Sequence, residues 1–369
     1  MKRTILFLFM LSVLTSCAEK RTKEVWYAER APFIPPVYVC YKAPAKIVVD
    51  GKLSPEEWGA IPPTTDFVDI EGVIRPLPTL KTQLKMTHDE HGMYFGVLLE
   101  EPHIWATITE HDDVIFRDND FEIFLNPSND THNYLEYEVN ALGTVWDLYL
   151  SRPYRDDPVV LNNYEFMGMQ SAVHVEGTLN NPNDTDKYWS LEVFIPWYSI
   201  YQVMRTEKKP AEGAQMRMNF SRVEWITEVR DGKYVKIPMP GEEKVREHNW
   251  VWAPTGVINI HMPEYWGYVQ FTETIAGVQE VPFVWNSDED IKWTLRQLYY
   301  RQREFHQAYN TYATNLADMK PEEICPEEWL KGLSVTASDR TYEISLQKDE
   351  ETNWHIRQDG LVYATMQAK

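Results

Sequence analysis

The chain has 369 residues, 43% hydrophobic, 25% charged and 13% aromatic, a globular composition long enough for one large domain with an appendage or for two domains. Lys and Arg number 36 against 56 Asp and Glu, a formal charge of −20. That balance argues against nucleic acid and anionic membrane surfaces as main partners, because both call for a basic face. The 14 Trp and 21 Tyr serve either core filling or flat platforms for ligands. Three cysteines, Cys17, Cys40 and Cys325, are too few for a disulfide-dense scaffold.

The chain opens on Lys2 and Arg3, followed by an apolar run from Ile5 to Leu14. As a helix this run spans about 15 Å, half a bilayer, so it reads as a signal peptide over 1–16 and not as a membrane span. It ends in Leu14-Thr15-Ser16-Cys17, a bacterial lipobox pattern that makes Cys17 the expected lipidation site. The expected product is exported and lipid-anchored in the cell envelope, with the outer membrane as the expected location. Residues 17–39 read as a tether, stiffened by Pro32, Pro35 and Pro36. Cys40 and Cys325 either pair in the oxidising compartment or are simply buried.

Within a domain spanning 40–272, the pattern from 46 to 272 is mostly period two. Leu84 and Met86 alternate with Gln83 and Lys85, and a turn at His88–Gly92 leads to a returning strand. Phe121, Ile123 and Leu125, then Leu135, Tyr137 and Val139, then Leu191, Val193 and Ile195 repeat the alternation. Many short strands between turn residues predict a mostly β fold, an immunoglobulin-like or jelly-roll β-sandwich. Ser54-Pro55-Glu56-Glu57 predicts a short helix with a capping box. Trp58, Trp189 and Trp197 are expected in the core.

The 273–369 extension differs. Ser287 with Asp288, Glu289 and Asp290 starts a helix. Its stripe of Ile291, Leu295, Leu298, Gln302, Phe305, Tyr309, Tyr312 and Leu316 is apolar except at Gln302. A small β-meander follows within 333–366, with Asp359-Gly360 as a hairpin turn.

There is no GxSxG elbow, P-loop, HExxH, CxxC or CxxCH motif. Three constellations carry chemistry. Val49 to Trp58 reads as a structural clip. The acidic loop Glu110–Glu122 offers Asp112, Asp113, Asp118 and Asp120 as hard oxygen ligands for a Ca²⁺ ion. The segment from Asn249 to Gly267 carries Trp250, Trp252, Tyr265 and Trp266, more rings than one short segment needs for packing. Beside these, Glu122, Glu136, Glu138, Asn140, Asp147, Glu192 and Asn219 or Arg217 are candidates for one polar sheet surface. Carboxylates and amides suit sugar hydroxyls, and a ring suits a pyranose C–H face. Paired carboxylates also leave a glycosidase open. Met86 with His88, or His261 with Met262, leaves a haem-binding electron carrier open.

Several segments resemble the family 9 carbohydrate-binding modules and their DOMON-like relatives. They are IVVDGKLSPEEW, LKMTHDEHGMYFGVLL, HDDVIFRDNDFEIFLNP, YLEYEVNALGTVWDLYL, YWSLEVFIPW and MRMNFSRVEW. The lipobox together with NWVWAPTGVINIHMPEYWGYVQF is similar to family-9-like lipoproteins of Bacteroidetes type. The resemblance implies a β-sandwich that binds oligo- or polysaccharide, with a sugar end held between two Trp rings and with structural Ca²⁺. It also implies glycan-degrading enzymes or transporters as partners in carbohydrate catabolism. No catalytic domain is visible beside it. Trp250, Trp252 and Trp266 are the leading rings, with Trp105, Trp146 and Trp225 as further candidates and Arg117, Glu138 and Arg222 as polar partners.

Overall fold

The computed structural model describes residues 25–366, so Cys17 and the signal segment lie outside the described residues. In chain order the first part contains β1 (Val37–Lys42), α1 (Pro55–Trp58), β2 (Val68–Asp69), β3 (Thr82–His88), β4 (Gly92–Glu100), β5 (Asp120–Asn126), β6 (Tyr134–Asn140), β7 (Val145–Leu150), β8 (Val160–Leu161), β9 (Gln170–Glu176), β10 (Tyr188–Pro196), α2 (Trp197–Met204), β11 (Gln215–Glu224), β12 (Thr227–Arg230), β13 (Lys233–Lys236), β14 (His248–Val251) and β15 (Gly267–Ile275). The second part contains α3 (Asp288–Tyr309), α4 (Glu327–Leu330), β16 (Leu333–Ala337), β17 (Tyr342–Gln347), β18 (Thr352–Arg357) and β19 (Val362–Met366). Among the described residues, no helix is long and apolar enough to cross a membrane.

The main strands follow the order β8-β7-β6-β5-β11-β15-β1-β3-β4-β10-β9, and β14 and β2 branch from β11. β1 joins the halves, running parallel to both β15 and β3. The halves face each other as a β-sandwich. Leu84, Phe95, Val97, Leu191 and Val193 from one half share a core with Phe121, Ile123, Tyr137, Met218 and Phe220 from the other. These are the period-two positions of the sequence, because alternate side chains of a strand point to one face. Trp58, Trp189 and Trp197 are buried as expected.

The opposite face of β5, β6 and β11 is not a wet surface. Phe124, Tyr134, Leu148, Leu150 and Trp266 form a second apolar cluster there. All residues of β5 and β6 are buried, including Asp120, Glu122, Glu136 and Glu138. The segment 252–266 lies over this face and closes it through Trp266, whose Nε1 donates to Ile260 O at 2.8 Å.

At the clip, Pro55 takes the first helical position as expected. The capping box differs: Ser54 Oγ donates to Glu57 Oε2 at 2.6 Å instead of accepting from the backbone. Glu192 binds Asp50 N and Gly51 N, both at 2.8 Å, and Trp58 Nε1 at 2.7 Å. Glu192 is therefore a structural anchor and not part of a sugar surface. Gly51 is required here: its φ is +85°, and a Cβ would lie 2.7 Å from His174 N.

In the extension, Ile291, Leu295, Leu298 and Phe305 of α3 pack with Leu333, Tyr342, Ile344, Leu346, Ile356 and Val362 of the meander. The helix stops at Asn310, which takes the left-handed conformation, so Tyr312 and Leu316 fall beyond it. Gln302, the polar break in the stripe, reads the backbone of Ala313 with both amide atoms, at 2.9 and 2.8 Å. A buried pair binds the extension to the sandwich: Arg217 meets Glu289 at 2.6 Å. Within the sandwich Arg155 meets Glu264 at 2.9 Å, and Tyr300 of the extension donates to the same Glu264 carboxylate. Cys40 and Cys325 are both free and buried, so the pairing alternative falls.

Candidate functional site

Two adjoining compartments open over β5, β11 and β14. The larger, about 570 Å³, is lined by Trp105, Trp225 and Trp250 together with Glu101, His103, Glu224, His248 and Asn249. Two irregular segments, within 69–80 and 239–249, form its other walls. The smaller, about 300 Å³, is lined by Phe116, Glu122, Glu136, Glu138, Trp146, Tyr154 and His261. Ile70, Glu247, Asn249 and Ile258 line both, so the compartments form one cleft with a ring-rich end and an acidic end.

The ring-rich end is built from strand termini. Trp225 follows β11; its backbone N donates to Asn119 Oδ1 at 2.8 Å and its Nε1 to Phe116 O at 2.9 Å. These bonds fix a half-buried ring at the cleft wall. Trp105 lies in the connection after β4, and its buried Nε1 has no hydrogen-bond partner. The Lys236 ammonium lies 3.5 Å from the Trp225 ring centre and 5.6 Å from that of Trp105. One group therefore reaches both rings. Burial pulls the Lys236 ammonium below its usual range.

Arg222 lies beneath this end and is spent on the protein. It donates to Glu224 Oε2 at 2.8 Å, Glu101 Oε2 at 2.9 Å and Glu100 O at 2.8 Å. Glu224 also accepts from Asn119 Nδ2 at 2.7 Å. Burial, and then the neighbouring Glu101, push the Glu224 carboxyl up to about 8 despite Arg222. This network presents carboxyl groups to the cleft in fixed orientation, a suitable arrangement for hydroxyl ligands.

The acidic end arises from register. Glu122 of β5 lies directly opposite Glu138 of β6, and Phe124 opposite Glu136. Asp120, Glu122 and Glu138 bring oxygens within 4.8 Å of one another. Burial first, then the negative neighbours, push Asp120 and Glu138 well above the usual carboxylate range. Burial pushes Glu122 up to about 7 and His261 down to about 3.

Several expectations are corrected. Trp252 is 2% exposed, packs on Phe220 and donates to Thr65 Oγ1 at 3.1 Å. Gly267 lets it fit, since a Cβ there would lie 2.3 Å from the Trp252 ring. Trp266 is fully buried against Phe124 and Tyr134. Both rings are core, because the segment that carries them folds back over the sheet. Trp250 lines the cleft, but His248 stacks on its ring at 5.3 Å and Arg222 approaches it at 5.4 Å. It is a floor, not a free platform.

Arg117 is exposed, 3.9 Å from Asp113, and lies outside the cleft. Asp147 turns to the inner side opposite Tyr137 and accepts from Phe166 N at 2.8 Å. The predicted Ca²⁺ set does not converge. Asp118 is consumed by Thr107 N and Ile108 N at 2.7 and 2.8 Å, and Asp113 caps Val114 N at 2.7 Å. Asp112 groups with His111 and Asp147 instead. Of the four, only Asp120 reaches the acidic end. His88, a haem candidate, is packed between Trp197 and Phe271.

Sequence reasoning did not find Glu101, His103, Glu224 or His248. They lie at strand ends and in irregular segments, where no periodicity points inward. The buried orphan Nε1 of Trp105 has no counterpart in the sequence.

A family model, described as the carbohydrate family 9 binding domain-like family, matches residues 49–272. The chain belongs to that family, and membership supports carbohydrate binding. Among solved structures, it is similar to a candidate carbohydrate-binding protein from Bacteroides uniformis, at 15% identity and a TM-score of 0.47, covering 64% of this chain and 99% of that one. It is also similar to a family 9 carbohydrate-binding module from Caldicellulosiruptor kristjanssonii solved with cellotriose. The identity there is 14% and the TM-score 0.39, covering 67% of this chain and 99% of that one. The same organism's module solved with glucose matches at 14% identity and a TM-score of 0.39, covering 66% and 100%. A search of curated proteins finds no match.

Proposed function

We propose that this chain is a cell-envelope lipoprotein that binds oligo- or polysaccharide in the cleft without cleaving it. The observation that carries the reading is the ring-rich end. Trp105 and Trp225 both line it, Lys236 lies against the Trp225 ring, and beside them Glu101, Glu224 and Asn249 offer oriented polar atoms. Apolar ring faces cover the C–H surface of a pyranose, and fixed carboxyl and amide groups meet its hydroxyls. Family membership supports the same ligand class.

A non-catalytic role is supported by membership of a binding-domain family. The lipid anchor is supported by Lys2, Arg3, the apolar run and Cys17. An anchored binder raises the local glycan concentration for degrading enzymes or transporters, offsetting micromolar to millimolar affinity. A glycan array followed by calorimetry on the exported chain tests the binding reading, with product analysis on the same glycans testing for cleavage. Cys17→Ala is expected to release the protein from the membrane fraction, since the lipid supplies the membrane affinity.

A further inference from the structure

The acidic end holds more buried carboxyl groups than a sugar site requires. Asp120 is fully buried, and neither of its carboxylate oxygens makes a hydrogen bond of normal geometry. Glu136 lies outside the converging trio but lines the same cavity. It is 4% exposed, and its Oε2 also has no partner. Phe116 N donates to Glu138 Oε2 at 3.1 Å. No Lys or Arg is salt-bridged to Asp120, Glu122, Glu136 or Glu138 among the described residues, in contrast to the buried acids at Arg155, Arg217 and Arg222. Buried carboxylates left without donors or a counter-charge are costly unless they take up a proton or a cation joins them.

We propose that Asp120, Glu122 and Glu138 hold a Ca²⁺ ion at the floor of the acidic end, with Glu136 beside it. All-oxygen, carboxylate-only donors select a hard cation, and the softer metals that favour Cys or His find neither in the trio. Their oxygens, all within 4.8 Å of one another, can meet one ion at ordinary Ca²⁺–O lengths of about 2.3–2.6 Å. A sugar ammonium fits less well: Glu122, Glu136 and Glu138 line the cavity, whereas Asp120 lies behind them, where a bare ion reaches and a sugar ring does not. The open side of the ion faces the cleft, so a pair of glycan hydroxyls completes its shell. That last step rests on the proposed glycan reading; the ion itself does not.

The test is calorimetric titration of CaCl2 into the chelator-stripped full chain without sugar, with MgCl2 as comparison and melting temperature as a second readout. Saturable binding of one Ca²⁺ per chain is expected, with a melting temperature that rises with Ca²⁺. Asp120→Asn and Glu138→Gln keep the side-chain shapes and remove a ligand charge. Each is expected to weaken Ca²⁺ binding by more than about tenfold. The stripped variants should melt at or above the stripped wild type, because mutual repulsion is relieved. Asp113→Asn, in the exposed loop, should bind Ca²⁺ as the wild type does. No saturable Ca²⁺ binding in the wild type, or unchanged binding in both trio variants, overturns the proposal. Either result leaves glycan binding, measured separately in chelator, untouched.

Discussion

Two regions of this molecule bury carboxylates, and they do so in opposite ways. Where the extension meets the sandwich, Glu264 faces Arg155 and the Tyr300 hydroxyl, and Glu289 faces Arg217, Lys292 and Tyr268. Burial alone would raise these two carboxyls, but the cations outweigh it and hold both down at about 2. On the covered sheet face, Asp120, Glu122, Glu136 and Glu138 face one another, and all are pushed up. The paired acids are complete within the chain and serve assembly. The unpaired ones are incomplete and open onto a cleft. Burial of a charged group thus marks a site only where its partners are missing.

The comparison breaks most strongly under acid. A carboxyl held low in the folded state stabilises above its unfolded pKa, near 4.5, and that stability is lost as pH falls through the folded value. For Glu264 and Glu289 the loss runs from about 4.5 toward about 2, and both pairs go together. The melting temperature should therefore fall steeply across that window; a flat profile would show that the pairs do not hold the extension. Arg155→Met strikes one pair alone. It strands Glu264 in the interior and is expected to cost about 3–5 kcal/mol in urea unfolding.

Trp252→Ala should cost a similar 3–5 kcal/mol, because it empties a core position. Trp225→Ala should leave stability nearly unchanged and weaken glycan binding by about 2–3 kcal/mol, from roughly 100 Å² of lost contact at about 25 cal/mol per Å². Calorimetry and thermal melting on this pair of variants separate core ring from site ring. The smallest effect is on the acidic face. Glu136→Gln in chelator should raise stability by about 1 kcal/mol by removing one like charge.

Much of the fold was legible in the sequence. Alternation at Phe121–Leu125 and Leu135–Val139 placed the inner face, and the stripe from Ile291 to Phe305 placed the helix. The same alternation misread the other face, because it reports only which residues share a side. It cannot say that a distant segment, 252–266, folds over Glu122 and Glu138 and buries them. For the same reason the ring-rich segment was overvalued: Trp252 and Trp266 are what fastens the cover. Trp225 and Trp105 stand in the sequence only as further candidates behind Trp250, Trp252 and Trp266, since their exposure depends on where β11 and β4 end. The Asp112–Asp120 run showed acids close in sequence, whereas convergence came from cross-strand register between Asp120, Glu122 and Glu138.

The central claim is that the ring-rich end of the cleft binds glycan. The most direct measurement is calorimetric titration of the oligosaccharides selected by a glycan array into the wild type and into Trp225→Ala. The account predicts micromolar to millimolar binding by the wild type and a loss of about 2–3 kcal/mol in a variant that melts normally. Absence of binding at millimolar oligosaccharide, or equal affinity in the two proteins, would contradict it.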